Sequence, residues 1–153
     1  MSGLDGLYQE LILDHSKHPH GTPLAEPDGR SATSHQRNPI CGDEVELRVR
    51  VTDDGAIRDV TWTGAGCSIS QASASMLAAL IDDRVDEDGP LSADEARALV
   101  AGFREALRSR GTIPLDEDRF GDAAALSGVS KFTARVKCAM LSWVALEDAL
   151  ARA

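Results

Sequence analysis

Aromatic residues are scarce in this chain: Phe, Trp and Tyr together make up 4% of its 153 positions. Its interior must therefore be mostly aliphatic. Bases are also in deficit, with 16 Lys and Arg against 25 Asp and Glu and a formal net charge of −9. That balance argues against the broad basic face a nucleic-acid binder uses. Long apolar runs are missing; the longest, residues 76–81, falls far short of the ~20 residues that span a bilayer. The opening residues carry neither the basic cluster nor the apolar stretch of a secretory signal. The expectation is a cytoplasmic protein with no nucleic-acid or membrane partner. Cysteine is sparse and odd in number, at Cys41, Cys67 and Cys138, so a complete disulfide framework is excluded. In a reducing compartment, separated cysteines point to metal binding or thiol chemistry, or to thiols packed as small hydrophobes. No Cys-x-x-Cys pair is present to decide between these by spacing alone.

What is present reads as one domain over residues 1–153. Leu4, Leu7, Tyr8, Leu11 and Ile12 recur at helical spacing, which predicts a helix over residues 4–16 ending before Pro19. Residues 18–39 are rich in Pro, Gly, Ser and Thr and read as a loop, with one weak strand near 30–35. Val45, Leu47, Val49 and Val51 alternate with Glu44, Glu46, Arg48 and Arg50, the pattern of a half-buried strand. Asp53, Asp54 and Gly55 form a hairpin turn into a returning strand at 57–63. A helix rich in small residues follows at 68–82, with Ile69, Ala72, Met76 and Leu80 on one stripe, then an acidic linker near 85–90. Ser92 and Glu95 make a capping box for a helix whose apolar face is Leu99, Phe103 and Leu107, and Gly111 ends it. Residues 112–129 show no clear period and read as an inserted loop. The last helix is expected over 131–150, with Phe132, Val136, Met140, Trp143 and Leu150 facing the core. The order implies an α+β fold: an N-terminal helix and a small antiparallel sheet of about three strands, packed against C-terminal helices.

Each cysteine has surroundings suited to an anion. Cys41 lies in Asn38-Pro39-Ile40-Cys41-Gly42-Asp43, where Gly42 permits a tight bend between two potential ligands. Cys67 follows Gly64-Ala65-Gly66, where a strand must turn into a helix, so its thiol lies at a helix N-terminus, which favours a thiolate. Cys138 sits within the last helix with Arg135 one turn back and Lys137 adjacent. Three thiols and the Asp43 carboxylate make a four-ligand set of the kind zinc accepts in tetrahedral geometry. With all four ligands anionic, a divalent ion would leave a local charge of about −2, and Arg37, Arg135 and Lys137 are the counter-charges nearest in sequence.

These motifs, together with the C-terminal Arg135-x-Lys137-Cys138-Ala139-x-Leu141-x-Trp143 and the opening Leu7-Tyr8 and Leu13-Asp14-His15, resemble the IscU/NifU N-terminal family of iron–sulfur cluster assembly proteins. The resemblance runs over nearly the whole chain. Lys137 stands where the family's housekeeping scaffolds have His before the third Cys, and this chain carries a longer segment around 111–129. Both features are similar to the SufU branch. That resemblance implies zinc on Cys41, Asp43, Cys67 and Cys138, and Cys41 as the thiol that accepts sulfur. It also implies a SufS-type cysteine desulfurase as partner, and downstream iron–sulfur assembly proteins as recipients. Two alternatives stand beside this reading: a scaffold holding a [2Fe–2S] cluster on the same residues, and a structural zinc domain.

His15, His18 and His20 form a second pattern. It reads chiefly as a polar helix end or partner surface, and less as a metal site. His35 lies near Cys41 in sequence, which offers a Cys–His pair as an alternative, but the four-ligand set explains Cys41 better.

Overall fold

In a computed structural model, residues 3–39 and 42–153 are described, with side chains from residue 6 onward. The order is α1 (Gly3–Lys17), β1 (Ser31–Arg37), β2 (Glu44–Val51), β3 (Ile57–Ala65), α2 (Ser68–Asp88), α3 (Ala93–Arg108), α4 (Glu117–Phe120), a 3-10 stretch (Gly121–Lys131) and α5 (Thr133–Arg152). The fold is α+β. The three strands form one antiparallel sheet in the order β1-β2-β3, with Ser34 opposite Leu47 and Leu47 opposite Trp62. Alternation in β2 puts Val45, Leu47, Val49 and Val51 on the buried face, where α5 packs on β1 and β2 and α2 packs on β3.

At the centre, α2 is buried on several sides, not along one stripe. Ala72, Ser73, Ala74, Ser75 and Ala78 are all buried with Met76, Leu77, Leu80 and Ile81. Small side chains allow α1, α5 and β3 to approach closely, and the buried hydroxyls are satisfied. Ser73 Oγ donates to the Ala139 carbonyl at 2.6 Å and accepts from Trp143 Nε1 at 3.0 Å. Trp143 in turn stacks on Phe103 with ring centroids 3.9 Å apart, joining α3 to α5 through the largest apolar surfaces available.

Four expectations need correction. The segment expected as an acidic linker continues α2 to Asp88, because Val85 still packs on the core while its acidic neighbours face outward, and Gly89 ends the helix at φ +81°. Residues 112–129 are not a loop throughout. Their second half is α4 and the 3-10 stretch, with Ala123, Ala124, Ala125 and Leu126 buried, and a repeat of three residues per turn escapes a search for 3.6. Phe132 does not face the core; it precedes α5 and is 63% exposed. Leu7 is likewise turned outward at 52% exposure, leaving Tyr8, Leu11 and Ile12 as the packed face of α1.

Candidate metal centre

Three elements meet at one end of the sheet. The first is the turn from β1 to β2, closed by two backbone bonds: the Asn38 N–H donates to the Asp43 carbonyl, and the Gly42 N–H to the Asn38 carbonyl, both at 2.8 Å. Gly42 takes φ +75°, a value that favours glycine. Asp43, the last residue of this turn, is 1% exposed. The second element is the start of α2, where Cys67 is the N-cap residue with extended backbone and its side chain makes no cap. The third is the first half of α5, which carries Cys138 at 2% exposure.

Asp43 ties the first two together. Its Oδ1 accepts the Cys67 N–H at 2.9 Å, so the carboxylate sits at the N-terminus of α2, where negative charge is favoured. Its Oδ2 lies 4.0 Å from Cys67 Sγ. One ligand atom from each of Asp43, Cys67 and Cys138 can be chosen so that all lie within 4.8 Å of one another. Two ligands at about 2.0–2.3 Å from one ion stand about 3.3–3.8 Å apart at the tetrahedral angle. The Asp43–Cys67 spacing is close to that, so carboxylate and thiols fit a small divalent cation such as zinc. Cys41 and Ile40 lie outside the described residues, so the fourth member of the expected set has no position to compare.

For Cys138 the electrostatics depart from the expectation of surroundings suited to an anion. Burial, then hydrogen bonding to Asp43 and Cys67, then their negative charge, hold the Cys138 proton well above the usual thiol range. Arg135 and Lys137, placed beside Cys138 by the sequence, are both exposed. Neither is an ion-pair partner of Asp43 among the described residues. Arg37 pairs instead with Glu44 at 3.5 Å. Three groups able to carry negative charge therefore converge with no basic side chain bonded to the carboxylate among the described residues.

Sequence reasoning missed what Gly66 does here. A Cβ on Gly66 would lie 2.3 Å from Asp43 Oδ1 and 2.7 Å from Ser70 Oγ. The second glycine of Gly64-Ala65-Gly66 is thus more than a turn residue: it makes the space that the Asp43 carboxylate occupies. The signal was visible as a Gly-x-Gly before the cysteine, but its partner, 23 residues upstream, was not.

The histidines do not gather. His15 is buried, with Nδ1 2.7 Å from Ser75 Oγ and Nε2 2.9 Å from Asp122 Oδ2. His20 Nε2 stands 2.7 Å from Asp82, and His18 is exposed beyond the end of α1. His35 faces Glu44 at 2.5 Å and lowers that carboxyl's pKa.

Comparison with known proteins follows the same lines. A family model described as the NifU-like N terminal domain matches residues 7–139. Over 151 residues the chain is 37% identical to the Bacillus subtilis (strain 168) protein named zinc-dependent sulfurtransferase SufU, covering 99% of this chain and 94% of that one. It is also 37% identical over 152 residues to the Streptococcus pyogenes serotype M1 protein named iron-sulfur cluster assembly scaffold protein IscU, covering 99% and 87%. The crystal structure of a nitrogen-fixing NifU-like protein (N-terminal) from Brucella abortus superimposes with a TM-score of 0.77 at 26% identity, over 99% of this chain and 96% of that one.

Proposed function

This chain belongs to the NifU-like N-terminal domain family, and from that premise we propose that it acts in iron–sulfur cluster assembly as a zinc-dependent sulfurtransferase. It takes persulfide sulfur from a SufS-type cysteine desulfurase and passes it to downstream assembly proteins. Residues 1–153 work as one domain. The observation that carries this reading is the convergence of Asp43, Cys67 and Cys138 ligand atoms within 4.8 Å. Their chemistry suits zinc, and the turn bearing Cys41 lies directly beside them in the chain.

Cys67, Cys138 and Asp43 would hold the ion, with Cys41 as fourth ligand. A bound zinc ion keeps thiols deprotonated at neutral pH while damping their nucleophilicity. Asp43 is held in place by the Cys67 N–H and by the space at Gly66, so its carboxylate is preset. Cys41 is the acceptor because its turn is flanked by the exposed Pro39 and Gly42, whereas Cys138 is buried in a helix. In the transfer, the Cys41 thiolate attacks the outer sulfur of the donor's persulfide. A new S–S bond forms on Cys41, the donor's S–S bond breaks, and the donor cysteine leaves as a thiolate. No external oxidant or reductant is consumed. Arg135 and Lys137 offer exposed positive charge on the helix that carries Cys138.

A second reading, a scaffold assembling a [2Fe–2S] cluster on the same residues, draws support from the scaffold name of the equally similar Streptococcus protein. Desulfurase turnover separates the two. Wild type should raise cysteine turnover and acquire one sulfur on Cys41 by mass spectrometry, and Cys41→Ala should do neither. Stimulation by Cys41→Ala equal to wild type, or the added sulfur on Cys138, would refute Cys41 as acceptor.

A further inference from the structure

Next to this centre lies an open groove of about 600 Å³, bounded by the β1–β2 turn at Asn38 and Pro39, the C-terminal end of α3 and the outer side of α5. Its apolar lining includes Leu107, Val136, Met140 and Val144. Its charged lining is all of one sign: Arg37, Arg104, Arg108, Arg110 and Lys137, with no carboxylate among the described lining residues. In a chain of net charge −9, five cations around one apolar trough are a marked local inversion.

Two of the five are already engaged. Arg104 pairs with Glu147 at 2.8 Å, and Arg37 with Glu44 at 3.5 Å. Arg108, Arg110 and Lys137 make no ion pair among the described residues, and all three are exposed. Arg110 is also the one non-glycine among the described residues with a positive φ, at +56°. It stands just past the end of α3, where glycine or asparagine is the usual occupant of that conformation. A bulky residue kept in a left-handed conformation is often found where the side chain has a task. Cations near a helix C-terminus also complement its dipole. That effect accounts for Arg108, but not for Lys137 across the groove near the N-terminal end of α5, where the dipole disfavours a cation.

We infer that this groove is a docking surface for an acidic, amphipathic segment of a protein partner, whose apolar side chains lie along Val136, Met140 and Val144 and whose carboxylates meet Arg108, Arg110 and Lys137. The rim charges are solvated, which suits steering and orienting a macromolecule more than holding a small anion out of water. The position gives the contact a purpose, because Asn38 and Pro39 line the groove and the acceptor Cys41 follows two residues later. A segment seated here brings its parent protein to the turn that must receive sulfur. On the function proposed above, on which this inference rests, that parent is the desulfurase.

The test is the affinity between the full zinc-loaded chain and a SufS-type desulfurase, measured by calorimetry at two salt concentrations. Arg108→Glu with Arg110→Glu should weaken binding at least tenfold and reduce its salt dependence, with zinc content unchanged and the melting temperature lowered only by the few degrees that reversing a charge at a helix C-terminus costs. Arg97→Glu, a charge reversal of equal sign at a residue outside the groove lining, should leave affinity within twofold. Wild-type binding matched by the double variant would overturn the docking surface while leaving the sulfurtransferase reading intact. Wild type that neither binds nor stimulates the desulfurase would overturn both. Loss of affinity by Arg97→Glu equal to that of the double variant would reduce the effect to net charge and overturn the groove.

Discussion

Two polar clusters pack against α2, about two turns apart, and they are completed in different ways. One joins the buried His15 and Ser75 to the exposed carboxylate of Asp122. Both ring nitrogens of His15 have partners, at 2.7 and 2.9 Å, and the Ser75 hydroxyl also accepts the His20 N–H at 2.7 Å. It ties α1, α2 and the 3-10 stretch together, and the buried ring reaches a carboxylate at the surface. The cluster at the start of α2 joins Asp43, Cys67 and Cys138. It has a carboxylate and two thiols and no basic side chain bonded to them among the described residues. Buried polar groups are expected to be satisfied, and buried charge to be paired or bound to metal. The first cluster meets that rule internally and reads as structure. The second meets it when a cation is supplied, and reads as a site.

The comparison breaks most visibly if the cysteines are changed. Cys67→Ser or Cys138→Ser should lose zinc, and since metal binding free energy is folding free energy, stability should fall by roughly 3–5 kcal/mol. At about 2–4 °C per kcal/mol for a chain this size, calorimetry should show a melting temperature lower by ~6–20 °C. A chelator should bring wild type down to the same level.

Gly66→Ala should come next. Its Cβ would meet the Asp43 carboxylate oxygen at 2.3 Å, and φ of +154° at this position adds backbone strain. Overpacking of this kind costs about 1–3 kcal/mol. The variant should bind zinc roughly tenfold more weakly in a competition titration, while chelated wild type and chelated variant differ less than the loaded forms do.

His15→Ala sharpens the contrast from the other side. It leaves Ser75 and Asp122 without their shared partner and should cost about 1–3 kcal/mol in denaturant unfolding, yet retain a full complement of zinc. A variant at His15 that lost its metal would merge the two clusters into one site and undo the distinction.

The smallest effect concerns acid. The hydrogen bond from Arg104, opposed in part by burial, holds the Glu147 carboxyl below the usual carboxylate range. A lowered folded-state pKa contributes stability that is complete above the unfolded value of about 4.3 and fades as pH falls through the folded value. The carboxylate side chain is 44% exposed, so solvent screening keeps the contribution below about 1 kcal/mol. Glu147→Gln should flatten this part of the acid limb of a stability–pH curve and leave the neutral region shifted only slightly.

Much of the architecture was legible because it follows local rules. The alternation from Glu44 to Val51 marks β2, the Asp53-Asp54-Gly55 turn marks the hairpin, and Ser92 does accept the Glu95 N–H as a cap at 3.1 Å. What stayed hidden depended on partners far away in sequence. The burial of Ala74 and Ser75 on α2 is imposed by elements that surround it, not by a period. Residues 121–131 follow a three-residue turn whose small side chains carry no amphipathic signal. The candidate site divides the same way. Asp43, Cys67 and Cys138 could be picked from composition and motif, whereas the Cys67 N–H bond to Asp43 and the space kept by Gly66 exist only once β2 and α2 have met.

The most direct test of the central claim is elemental analysis of the protein as isolated, wild type alongside Cys67→Ser and His15→Ala. The account predicts one zinc per chain in wild type and in His15→Ala, and close to none in Cys67→Ser. Wild-type protein with negligible metal, or Cys67→Ser retaining a full zinc ion, would contradict it.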